Sequence, residues 1–83
     1  MYELKFTDTS KRQFSKLEKT TQQRILLALE RIRIRPNYFV KKLVSNPYYR
    51  LRVGDYRIIL DIKRNEMAIM IIEVGHRRNI YQH

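Results

Sequence analysis

The residues best equipped for chemistry in this 83-residue chain lie between Tyr48 and Leu60, in the run YYRLRVGDYRIIL. Apolar and basic residues alternate there and run into Gly54-Asp55, a pair that suits a type II′ two-residue hairpin with glycine at its first turn position. Such a turn sets Val53 opposite Tyr56 and Arg52 opposite Arg57, with Arg50 two residues further along the same face. Like charges directly opposite one another destabilise a ladder. Arginines gathered in this way call for an anion, and a guanidinium fork matches the oxygens of a phosphate.

The elements that must position this cluster are legible on both sides of it. Tyr2, Leu4 and Phe6 alternate with Glu3 and Lys5, the pattern of a strand with one buried face. Thr7-Asp8-Thr9-Ser10 caps a first helix running to about Lys19, with Phe14 and Leu17 inward. Thr20-Thr21 is expected to break and recap. A second helix, about Thr21 to Arg33, buries Ile25, Leu26, Ala28, Leu29 and Ile32 and exposes Gln22, Arg24, Arg31 and Arg33. Pro36 ends it, and the two helices form an antiparallel hairpin. The stretch from Asn37 to Pro47 reads as an irregular connection tacked down by Phe39, Val40, Leu43 and Val44, which leaves Lys41 and Lys42 free.

Two strands then frame the hairpin, and a second two-residue reversal near Arg64-Asn65 leads into a last strand, Met67 to Val74. Continuous pairing sets Ile58 opposite Ile71 and Leu60 opposite Ile69. One face then carries Leu51, Val53, Ile58, Leu60, Ile62, Met67, Ile69 and Ile71 against the helices. The other carries Arg50, Arg52, Arg57, Ile59, Ala68, Met70 and Ile72. The expected fold is α+β: strand-helix-helix-strand-strand-strand, a helical hairpin packed on one face of a mainly antiparallel twisted sheet, as a single domain over residues 1–83.

Composition narrows the partners. A formal charge of +10, shared evenly by the two halves of the chain, makes a basic body that expects a polyanion, nucleic acid first. The absence of cysteine excludes disulfides and thiolate metal sites and fits a reducing cytoplasm. Two histidines and eight scattered carboxylates offer no metal-ligand cluster, and two glycines make no phosphate loop. The start of the chain is too short and too charged for a signal peptide. No apolar run approaches the roughly 20 residues of a membrane span, so no membrane role, metal or cofactor is expected.

The element order, RLRVGDYRIIL (Arg50 to Leu60) and VGHRRNIY (Val74 to Tyr81) together resemble the RelE/ParE superfamily of small toxins from type II toxin–antitoxin pairs, most nearly its RelE-like members. The resemblance extends over essentially the whole chain. It implies a ribosome-dependent, metal-independent endoribonuclease of the cytoplasm that cuts mRNA in the decoding site. It also implies a cognate acidic, RelB-like antitoxin, through which alone operator DNA is contacted. Carried over by motif, the family's basic pair falls on Arg50 and Arg52, its arginine after the turn tyrosine on Arg57, its C-terminal arginine on Arg77 and its terminal tyrosine on Tyr81. The chain departs from the pattern in two places. Arginines stand where well-studied members often have lysines, and the step from Arg77 to Tyr81 is shorter than in some.

Metal-free cleavage through the ribose 2′-hydroxyl needs a base, donors for the pentavalent phosphate and an acid for the leaving 5′-oxygen. Arginine, with a pKa of roughly 12.5 to 13.8, supplies donors but not a base. Tyr81, lowered by surrounding guanidiniums, and His76, with an ordinary pKa near about 6.5, are the candidates for proton transfer. Each has a structural reading as well: Tyr81 as a C-terminal anchor, His76 as a strand-end polar residue. Lys41, Lys42 and Arg78 are candidate RNA contacts. The competing role for Arg57 and Arg77 is surface pairing with Glu73 or Asp61. Two other functions use the same fold: inhibition of DNA gyrase, as in ParE-like relatives, and a catalytically weak member that acts with its antitoxin as a DNA-binding co-repressor.

Overall fold

A computed structural model describes residues 1–76. The order is β1 (Glu3–Phe6), α1 (Asp8–Ser15), α2 (Lys19–Ile34), α3 (Pro36–Phe39), β2 (Lys41–Lys42), β3 (Tyr49–Val53), β4 (Tyr56–Lys63), a 3-10 turn (Arg64–Glu66) and β5 (Ala68–His76). The strands make one sheet in the order β1-β5-β4-β3-β2. Only the β1–β5 pair is parallel; the rest are antiparallel. The expected α+β architecture is therefore found, with a short helix and an edge strand added in the stretch expected to be irregular. Both additions are too short to leave a periodic signal.

The helix break falls earlier than Thr20-Thr21. Thr7 caps α1 as expected, its Oγ1 accepting the Ser10 N–H at 3.1 Å. The helix stops at Ser15, and the N–H groups of Lys16 and Leu17 turn back onto the carbonyls of Gln13 and Phe14. Leu17 packs into the core from the link, and that inward anchor turns the chain before the threonines, which lie in the first turn of α2. Gln22 Nε2 donates to the Phe14 carbonyl at 2.9 Å, a second donor beside the Leu17 N–H that ties α2 to the end of α1.

α2 buries Ile25, Leu29 and Ile32 completely, an i, i+4, i+7 stripe. They meet Leu51, Ile58, Leu60, Ile62, Ile69, Ile71 and Val74 of the sheet in one core. Leu26, expected inside, is 41 % exposed, because a stripe this narrow turns the next position out. α2 ends at Ile34, and Pro36 opens α3 at its first turn, where its missing N–H costs nothing.

The first hairpin has the expected register, Arg52 with Arg57 and Val53 with Tyr56. Gly54 has φ 59, and Met67 is the one non-glycine residue with positive φ among the described residues. The positive φ thus sits at the first turn position only, as type II′ requires. A Cβ at Gly54 would also come within 3.1 Å of Arg24 Nη2. Gly54→Ala is accordingly expected to destabilise by at least about 1 kcal/mol and to lower Tm by several degrees in a circular dichroism melt.

The second reversal differs from the expected two-residue turn. Arg64–Glu66 forms a 3-10 turn that Met67 closes in the left-handed conformation, so Met67 is 46 % exposed in a turn instead of heading the core ladder. The longer turn moves the register to Leu60 with Ile71 and Ile62 with Ile69, and an irregularity at Ile59/Leu60 then brings Ile58 opposite Val74. Arg64 secures this end of the sheet by donating to Asn37 Oδ1 of α3. A hydrogen bond with Tyr49 raises its guanidinium pKa above the ordinary value, outweighing an opposing effect of desolvation, and Tyr2 adds to the rise.

A candidate phosphate-binding face

The face of the sheet away from the helices is built from cross-strand rows. One row runs Lys41, Arg50, Ile59, Glu73 across β2, β3, β4 and β5; the next runs Arg52, Arg57, Gly75 across β3, β4 and β5. Directly opposed residues stand about 5 Å apart at Cα. Lys41, Arg50, Arg52 and Arg57 therefore occupy one corner of a rigid surface. Phe39 joins Lys41, Arg50 and Arg52 around a recess of about 140 Å³, which adds a ring face to a cationic floor. Phosphate oxygens fit the floor and a base fits the ring.

The floor is held from below and from the side. Ile59 is 1 % exposed because the β2–β3 connection folds over it. There Leu43 N–H donates to the Tyr48 carbonyl at 3.0 Å, and Tyr48 N–H to Asn46 Oδ1 at 2.9 Å. Leu43 and Ile59, with Tyr48 and Ile72 against them, form a small second core on this face. Ile59 is thus covered by the chain itself.

Strand alternation separates the two lysines. Lys41 pairs with Arg50 and joins the cationic face, whereas Lys42 pairs with Tyr49 and sits 5.2 Å from its ring centroid, a cation–π contact. His76 pairs with Tyr56, which packs against the main core; the two rings meet edge to face at 5.6 Å. His76 consequently lies on the opposite side of the sheet from the arginines. Among the candidate ion pairs, Asp61 binds Lys63 at 3.3 Å. Among the described residues no His, Cys, Asp and Glu side chains group as a metal site, and no helix is long and apolar enough to cross a membrane.

Residues 4–81 match the family described as the ParE toxin of the type II toxin-antitoxin system parDE. The chain belongs to this family, within the RelE/ParE toxin superfamily. The toxin fold is shared with solved structures. One is the RelBE2 toxin–antitoxin complex of Mycobacterium tuberculosis, at 25% identity and TM-score 0.83, covering 92% of this chain and 98% of that one. Another is the RelB–RelE complex of Methanococcus jannaschii, at 28% identity and TM-score 0.74, covering 93% and 94%. The intact E. coli RelBE complex, at 24% identity, shares the fold with TM-score 0.82 over 92% of this chain and 96% of that one. A comparison with curated proteins gives no match.

In this toxin chain the sheet brings together Arg50, Arg52, Arg57 and Lys41 from the sequence-derived set and sets Lys42 and His76 on the other side. Arg77, Arg78 and Tyr81 lie outside the described residues. Phe39, an apolar tack by sequence alone, is the added contributor; its signal is position, two residues before Lys41 and last in a proline-initiated turn of helix.

Proposed function

We propose that this toxin is a ribosome-dependent, metal-independent endoribonuclease of the cytoplasm that cleaves mRNA in the decoding site. The observation that carries the proposal is the register that gathers Arg50, Arg52, Arg57 and Lys41 on one face of a packed sheet. In the proposed reaction the ribose 2′-oxygen attacks the adjacent phosphorus and the bond from phosphorus to the 5′-oxygen breaks. A 2′,3′-cyclic phosphate and a 5′-hydroxyl result. Arg57 and Arg52 hold the equatorial phosphate oxygens as charge builds on them, Arg50 and Lys41 hold the flanking phosphate, and Phe39 stacks on a base. Tyr81 takes the 2′-proton, and the departing 5′-oxygen, stabilised by Arg77, takes a proton from solvent water to become the 5′-hydroxyl. His76, on the far side of the sheet, is not assigned the proton transfer.

The test is cleavage of a defined message on programmed ribosomes with the purified chain. Cuts within codons ending in 2′,3′-cyclic phosphate are expected, in the presence of a chelator as well as its absence. Intact message would sink the proposal. The ParE description of the matched family favours one other reading, inhibition of DNA gyrase. It predicts trapped DNA breaks with intact message, and the same preparation assayed with gyrase and supercoiled DNA decides between the two.

The antitoxin is proposed to be acidic and RelB-like, to carry all contact with operator DNA, and to lay an amphipathic helix along the outer side of α2. Leu27 and Ile34 are 63% and 64% exposed there, and Tyr38 of α3 is 70% exposed. Ile34 and Tyr38 share a groove with Arg31 and Arg35, so the apolar stripe has cationic flanks that suit acidic side chains. Leu27→Asp with Ile34→Asp is expected to leave folding and toxicity intact and to weaken antitoxin affinity by about tenfold or more. Isothermal titration with the cognate antitoxin checks it; unchanged affinity moves the docking site elsewhere.

A further inference from the structure

β5 outruns its parallel partner, since pairing with β1 ends at Phe6 opposite Ile71. Past that point α1 takes over as the edge. The Thr7 N–H donates to the Ile71 carbonyl at 3.1 Å, and the wholly buried Ser10 adds its Oγ to the same carbonyl at 2.8 Å. Thr7 Oγ1 lies 3.2 Å from the Ile72 carbonyl as a donor. Gln13 Oε1 then accepts the Val74 N–H at 2.7 Å. Side chains of a helix thus satisfy backbone groups that a neighbouring strand would otherwise satisfy.

These bonds bracket the place where β5 carries one residue more than β4. Leu60 pairs with Ile71 but Ile59 with Glu73, leaving Ile72 as the extra residue. Such a bulge reverses the alternation of everything after it. Counting on from Leu60–Ile71 without it would set Val74 beside Arg57 and Gly75 beside Tyr56. With it, Arg57 faces Gly75, while Val74 faces Ile58 and is 2 % exposed in the core. The residue beside Arg57 is thereby the one with no side chain, and glycine inside a strand marks places where another backbone comes close.

We propose that Gln13 is a positioning residue for RNA cleavage: by accepting the Val74 N–H it holds the β5 bulge, which leaves the bare backbone of Gly75 beside Arg57 as the approach for a ribose-phosphate strand. This rests on the ribonuclease reading above. Gln13 touches no substrate; it acts through the register of β5. Loss of the acceptor frees the bulge to slide, brings a valine side chain against Arg57 and misaligns the guanidinium with the phosphate.

The experiment compares the full chain with Gln13→Ala, Gln13→Glu and Gly75→Ala on programmed ribosomes, at a temperature where circular dichroism finds every variant folded. Gln13→Ala is expected to lower kcat between about tenfold and 10²-fold with KM nearly unchanged. Gln13→Glu, which keeps an acceptor oxygen at the same reach, is expected to return kcat to within about threefold of the starting chain. Gly75→Ala, which adds a methyl beside Arg57, is expected to fall with Gln13→Ala. The proposal is overturned if folded Gln13→Ala cleaves like the starting chain, if Gln13→Glu is as slow as Gln13→Ala, or if Gly75→Ala is fully active. If the starting chain itself leaves the message intact, the ribonuclease reading falls and takes this proposal with it, an outcome distinct from the other three.

Discussion

Arg57→Ala is expected to lower the rate of message cleavage by about 10²–10³-fold, with no loss of folded structure. Arg57 stands in the middle of its row, with Arg52 on one side and Gly75 on the other, so a phosphate at this corner would have a second guanidinium beside the first. The proposed contribution of Arg57 is to charge that develops in the transition state, so the loss should appear in kcat more than in KM. Arg57→Lys keeps the charge but loses the planar fork, and an intermediate rate is expected. Folding should survive because removing one of two directly opposed like charges relieves the ladder. Quench-flow cleavage on programmed ribosomes, with a circular dichroism melt beside it, reads both effects. A folded Arg57→Ala chain that still cuts at the original rate would remove the arginine face from the mechanism.

Ile69→Ala is expected to be the most damaging single change to stability. Ile69 is fully buried in β5, between Leu4 of β1 and Ile62 of β4, in the core that also holds α2. Truncation there loses transfer free energy and leaves a cavity walled by three elements that cannot all move in, about 2–5 kcal/mol in comparable cores. Native domains have only about 0.05–0.15 kcal/mol of stability per residue, so a loss of this size consumes a large part of the total in a chain this short. A fall in Tm of more than about 10 °C in calorimetry is the corresponding observable. The helix-side and sheet-side halves of the core should fail together, in one transition.

The parts of the fold legible in the sequence were those with a strict period or an obligatory residue. Gly54-Asp55 specified the turn, the turn specified Arg52 against Arg57, and both are found. The inward stripe of α2 was legible at Ile25, Leu29 and Ile32 but not at its margin, because nothing in Leu26 itself distinguishes a core position from an exposed apolar one. Ile71 and Ile72 illustrate a harder case. Both are apolar and β-branched, so the extra residue in β5 leaves no mark in the hydrophobic pattern, and continuous pairing was the natural expectation. What reveals the bulge is a helix far away in sequence whose Thr7, Ser10 and Gln13 complete it. Lys41 and Lys42 looked equivalent for a similar reason: a strand of two residues gives them opposite faces without any periodic run to announce it.

The strand order β1-β5-β4-β3-β2 also has a bearing on synthesis. The strand inserted between the first-made edge and the rest of the sheet is the last of the described strands to leave the ribosome. Until Ala68 and its successors emerge, β1 has no neighbour, the main core lacks Ile69, Ile71 and Val74, and Arg57 has strand support on one side only. The nascent chain therefore lacks a complete cationic platform while it is still being translated. The register that holds Arg57 between two strands is complete only once β5 has been made.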